Sequence, residues 1–144
     1  MTDAAWSRSA AFALIEHIAG HLAALLPDDL VLAAAADQFV LVSTAGGVQK
    51  TVGTQAVSVP EHFDMRSAEM LAHHFLADAQ DLVVSHLHQP WPVAPDGRTL
   101  HAAATVAGRS VRLGFRDSKN PEEVVVELPD LTLPDEPGGS RVAG

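Results

Sequence analysis

The chain has 144 residues, 47% of them hydrophobic and 5% aromatic, with 9 Lys and Arg against 18 Asp and Glu and no cysteine. A chain of this length buries about two-thirds of its unfolded surface, enough for one globular core without metal or disulfide support. The formal charge of −9 speaks against nucleic acid and anionic membrane as partners, since both reward a basic face. The absence of Cys removes disulfides, thiol catalysis and Cys-ligated metal centres.

An export signal is not expected in the N-terminal stretch, because Glu16 and His17 interrupt the short apolar run after Arg8. The longest apolar run, Leu30 to Ala36, is far below the roughly 20 residues of a membrane span. A cytoplasmic protein is expected.

Residues 3–26 read as a first helix, capped by Thr2 or Asp3 and closed by Pro27-Asp28-Asp29. A 3.6-residue period gathers Ala11, Leu14, Ile15, Ile18, Leu22, Leu25 and Leu26 into one stripe. Trp6, Ala10, His17 and His21 form a row on its flank. The pattern then changes to short apolar runs at Leu30–Ala35, Gln38–Thr44, Val48–Val52 and Gln55–Val59. Ala45-Gly46-Gly47 is the clearest turn, and Gly53 marks a bulge or a bend.

Helical periodicity returns from residue 64 to about 88, with Asp64 or Ser67 as cap. Its apolar stripe holds Ala68, Leu71, Ala72, Phe75, Ala79, Leu82, Val83 and His86. Pro90-Trp91-Pro92 forces an extended or turning segment, because the residue before a proline disfavours the α region. A three-stranded meander follows at 99–106, 110–116 and 123–128. A turn at Ala107-Gly108 would pair Leu100 with Phe115, Ala102 with Leu113 and Ala104 with Val111. The same register sets Arg116 by Glu123 and Arg112 by Glu127. Residues 134–144 read as a disordered tail beyond a single α+β domain, 1–133, with element order α-β-β-β-α-β-β-β and two main helices on antiparallel sheet.

Four histidines are candidate metal ligands. His17 and His21 share a helical face at i, i+4, but Ile18 stands where a zinc hydrolase needs its glutamate. His86 and His88 share a side only if the helix has ended between them. For His17 and His21 the preferred reading is packing and hydrogen bonding at a helix edge, and for His86 a place in the core near the helix end, where the dipole favours a cation, so neither metal nor cofactor is expected. His73 and His74 look like solvated surface. Trp91 has two roles open to it: a plug under a long loop, or an exposed anchor for a partner. Together with His88 and Arg98, on the flanks of that loop, it is the candidate partner-binding set. Arg98, Arg109, Arg112 and Arg116 concentrate charge on one hairpin and could receive an anion, though cross-strand glutamates account for two of them.

Trp6 opening a helix that ends Leu25-Leu26-Pro27, then Gln38-Phe39-Val40-Leu41-Val42 and a Gly-Gly turn, resembles the small α+β secretion-chaperone-like group, which includes type III secretion chaperones and YbjN-like proteins. The third helix common in that group is replaced here by Glu122–Leu128. The resemblance implies a homodimer that holds another protein without catalysis. Two competitors stand beside it: a histidine-based metal or small-ligand enzyme, and an immunity or antitoxin-like protein whose acids mask a basic partner.

Overall fold

A computed structural model describes residues 5–117, 119–120 and 122–133. Its elements run β1 (Ala5–Ser7), α1 (Arg8–Ala23), β2 (Leu30–Ala35), β3 (Gln38–Ser43), β4 (Lys50–Ala56), β5 (His62–Asp64), α2 (Met65–Leu87), β6 (Leu100–Ala107), β7 (Ser110–Asp117), β8 (Val124–Glu127) and β9 (Leu131–Thr132). The class is α+β: two helices with antiparallel sheets ordered β1-β5, β2-β3-β4 and β6-β7-β8, with β9 also on β7. One apolar cluster links both helices and all three sheets. Among the described residues no helix is long and apolar enough to cross a membrane. The expected tail, residues 134–144, lies outside the described residues.

The first helix is shorter than its period suggests. It starts after Ser7, and Trp6 sits instead on β1, paired with Phe63 of β5. The two rings lie 5.7 Å apart, and Trp6 is 1% exposed. Helical spacing could not expose this, because Trp6 stands four residues before Ala10 and fits the helical row by coincidence. The far end also stops early, and Leu25, expected in the stripe, is 39% exposed. The rest of the stripe is fully consumed: Ala11, Leu14, Ile15, Ile18 and Leu22 are all buried. Each large member contributes roughly 1.5–3 kcal/mol through that burial.

The β2–β4 sheet turns its Leu30, Leu32, Phe39 and Leu41 side inward. The runs expected at Val48–Val52 and Gln55–Val59 are one strand, β4, because a bulge between Leu41/Gly53 and Val42/Thr51 absorbs the irregularity at Val52. Gly46 and Gly47 turn the preceding loop with φ of +72° and +78°. The sheet's other face carries Val31, Ala33 and Ala35 opposite Val42, Val40 and Gln38, which in turn face Thr51, Thr54 and Ala56. None of these nine residues is charged.

α2 begins with a reciprocal capping box. Asp64 Oδ1 accepts from Ser67 N–H at 3.0 Å, and Ser67 Oγ accepts from Asp64 N–H at 3.2 Å. It ends at His88, whose left-handed backbone (φ +57°) directs its N–H to Val84 O.

The C-terminal hairpin differs from expectation by two residues in register. Its turn is Gly108-Arg109, with Gly108 at φ +63°, so Leu100 faces Asp117, Ala102 faces Phe115 and Ala104 faces Leu113. Moving a two-residue turn by one position slides the strands by two, which keeps every side chain on its face. Alternation alone therefore cannot distinguish the two registers. The expected charge pairs move as well: Arg116 faces Val124, and Arg112 meets Asp130 at 3.4 Å. The chain then breaks at Pro129 and resumes as β9 against Ser110 and Val111.

Two glycines give a direct test of this packing. A Cβ on Gly114 would stand 2.6 Å from the Val126 carbonyl oxygen, whereas one on Gly53 would meet only the Leu82 Cδ1 methyl at 2.9 Å. Backbone cannot yield as a leucine tip can. Gly114→Ala should cost about 1–3 kcal/mol, and Gly53→Ala well under half of that, measured by urea unfolding. Equal losses would contradict the β7–β8 geometry.

Candidate functional site

α2 lies between the free edges of two sheets and treats them differently. On the β6 side it closes the edge. Glu69 Oε1 accepts the Val106 N–H at 3.1 Å, and Gln80 Nε2 donates to Leu100 O at 3.0 Å and to Trp91 O at 3.1 Å. Val106 N–H and Leu100 O are backbone groups that the antiparallel hairpin turns away from its partner strand, so helix side chains replace a missing strand there.

On the β4 side no such bonds form among the described residues, and a groove runs between helix and strand. One section, of about 640 Å³, is lined by Ala56, Ser58, Val59, Pro60, Leu71, His74, Phe75 and Asp78. The next, of about 440 Å³, is lined by Val52, Gly53, Thr54, Gln55, Leu82, Ser85, His86 and His88. The helical contributors fall at 71, 74, 75, 78, 82, 85 and 86, the spacing of a single helix face. The bond from Val57 N–H to Asp37 O, 2.9 Å, sets the ladder alternation. It follows that the N–H and C=O groups of Thr54 and Ala56 point to the open edge. Gln55 Nε2 folds over to donate to Ala56 O at 3.0 Å, a local substitute for a neighbouring strand.

The groove is apolar at Leu71, Phe75 and Leu82 and acidic at Asp78. Partial burial pushes the Asp78 carboxyl above the usual carboxylate range, and Asp81 adds to this while His74 opposes it. Ser58, His74 and Asp78 line the same section, but no hydrogen bond joins any two of them, so no nucleophile–base pair is assembled.

The residues singled out from sequence are scattered. Trp91 is 8% exposed, its indole donates to Leu25 O at 3.2 Å, and its ring meets Phe115 edge-on at 6.4 Å. It therefore locks the 90–98 loop onto the end of α1 and the face of β7. Arg98 is the hub of a carboxylate cluster, bonding to Asp96 at 2.8 Å, to Asp117 and to Glu123 at 3.4 Å. Asp117 is 4% exposed. The Lys119 N–H, first, and the Arg98 guanidinium hold its carboxyl below the usual range. This cluster ties the loop to the end of β7 and the start of β8. His88 is exposed at the end of α2, where it borders the groove and a second hollow of about 470 Å³ beside Trp91.

His86 and His88 both line the upper groove. His17 and His21 lie with ring centroids 4.5 Å apart, but His17 Nε2 bonds to Pro129 O at 2.7 Å. That bond makes Nε2 the protonated nitrogen and withdraws its lone pair from any metal. Among the described residues no three His, Asp or Glu side chains converge as a metal site requires. The groove itself was not legible from sequence, because its strand edge and helix face are joined only by tertiary packing. The one local signal was the polar row His74, Asp78 and Ser85 beside the α2 stripe.

Two stability measurements follow. Desolvation, the largest influence, lowers the His17 pKa from the ordinary 6.5. The folded state thus prefers neutral imidazole, and its stability is complete above 6.5 and declines as pH falls below that value. Thermal melts from pH 7.5 to 5.5 should show this decline, with a shallower one in His17→Gln; identical slopes would refute the assignment. Asp78 has the opposite sign: its ionised form is penalised by the fold at neutral pH. Asp78→Asn should raise the melting temperature at pH 7, and the gain should fade as pH drops toward 3.8, the ordinary aspartate value. Family models, curated proteins and solved structures give no match to this chain, so the groove is read from its own geometry and chemistry.

Proposed function

We propose that this chain is a non-enzymatic protein-binding module, chaperone-like or regulatory, that takes an extended segment of a partner protein into the groove as an added strand on β4. Strand addition of this kind draws affinity from main-chain hydrogen bonds and specificity from pockets for alternate side chains. The observation that carries this reading is the asymmetry of α2: the helix caps the β6 edge with Glu69 and Gln80 but gives no bond to the outward backbone groups of Thr54 or to the Ala56 N–H of β4 among the described residues. Half-buried Leu71, with Val59 and Pro60 beside it, would receive an apolar side chain of the incoming strand. The Asp78 carboxyl in the groove wall favours a basic residue in the incoming strand, as does the −9 charge of the whole chain.

The probe is an alternating Lys-Val octapeptide, with an alternating Glu-Val octapeptide as control. In the free protein the Thr54 and Ala56 amides should exchange with solvent faster than their β4 neighbours. The Lys-Val peptide should slow both, and the Glu-Val peptide should do so much less. Ala56→Pro, which removes an outward N–H without touching the β3 ladder, should abolish the effect. If neither amide is protected by either peptide at saturating concentration, the strand-addition reading fails.

A further inference from the structure

The groove between β4 and α2 has two chemically different ends. Strand and helix run in opposite directions, so the section at residues 56–60 faces helix residues 71–78, and the section at residues 52–55 faces residues 82–88. The first contains the Asp78 carboxyl beside His74. The second contains Ser85, His86 and His88, all able to donate hydrogen bonds, and no carboxyl lines it. Charges beyond the groove follow the same division. Glu61 comes just past the first section. Lys50 opens β4 at the second end, on the inward face opposite Ser43, whereas Asp29 at that end lies across the sheet, before β2. The carbonyl end of α2, also there, works against an anion, but its influence fades within a turn.

We infer that the groove selects the direction of its occupant: resting on the strand-addition reading above, it takes an antiparallel strand in which a basic residue precedes an acidic one by four positions. Among the described residues every strand pairing is antiparallel. An antiparallel neighbour would let Thr54 and Ala56 each exchange an N–H and a C=O bond with a single partner residue. Gly53 and Gln55 share the inward face with buried Leu41 and Phe39, and Val57 is buried on the same side. Residues of the added strand that lie opposite Val57, Gln55 and Gly53, in that order along it, therefore also face inward. The first of these stands at the Asp78 section and the third at the His86 and His88 section. Asp78 and His86 are eight residues apart on α2, about 12 Å along its axis. Four residues of strand cover about 13 Å. The two spacings agree, so a lysine or arginine facing Asp78 and a glutamate or aspartate facing the imidazoles fit one extended strand. A parallel strand would need the opposite order.

Two heptapeptides capped at both ends, Thr-Lys-Thr-Val-Thr-Glu-Thr and its reverse Thr-Glu-Thr-Val-Thr-Lys-Thr, decide the matter. They share composition and zero net charge, so the pull of the −9 chain is equal on both and only the order differs. Each is titrated against exchange protection of the Thr54 and Ala56 amides. The lysine-first peptide should bind about fivefold more tightly, the yield of two exposed charge contacts made rather than opposed. Asp78→Asn should shrink that preference to about twofold, and Asp78→Lys combined with His86→Glu should reverse it. Equal affinities, with both amides protected, overturn the inference and leave strand addition standing. A preference for the glutamate-first peptide overturns the antiparallel direction, and a preference that Asp78→Asn leaves unchanged overturns the pairing with Asp78. If neither peptide protects either amide, strand addition itself fails and the direction fails with it.

Discussion

The position of α2 between two sheet edges is the constraint on which the rest of the structure depends. Sheet edges with unpaired backbone groups must be covered, paired or left to solvent. Glu69 and Gln80 cover one, and Gln80 also holds the Trp91 carbonyl, so the same residue fixes the long loop. On the other side Leu82 presses against Gly53, where absence of a side chain lets the helix approach β4. The helix is thus both a structural replacement for a strand and the wall of a groove.

The polar groups divide by the same logic. Where the fold needs a closed joint, polar groups are spent on each other: Arg98 on Asp96, Asp117 and Glu123, and His17 on Pro129. Where it leaves a surface open, they face space, as Asp78, Ser85 and His88 do. A carboxyl held above its ordinary range in an open groove is a small stability cost retained for something other than folding.

Much of the fold was legible in the residues. Asp64 and Ser67 announce the start of α2, Gly46 and Gly47 announce their turn, and the alternation in β6 and β7 assigns their faces. What failed did so for physical reasons. Trp6 occupies a helical phase while lying on a strand, because β5, its partner, is more than fifty residues away. The hairpin register slid by two because period-two patterning is blind to such a slip. Gly53 was readable as an irregularity but not as the site of closest helix approach.

The candidate site was less legible still. Trp91 and Arg98 drew notice for their chemistry, and tertiary packing spends both on holding the loop in place. Composition, charge and local period by themselves determined the α+β class, the two helices, their buried stripes and the acidic balance, because these are sums or short-range repeats along the chain. Only the tertiary structure decided which strand edges are closed and which stay open. That outcome depends on which side chains of α2 meet which backbone groups of β4 and β6, residues brought together from distant parts of the sequence.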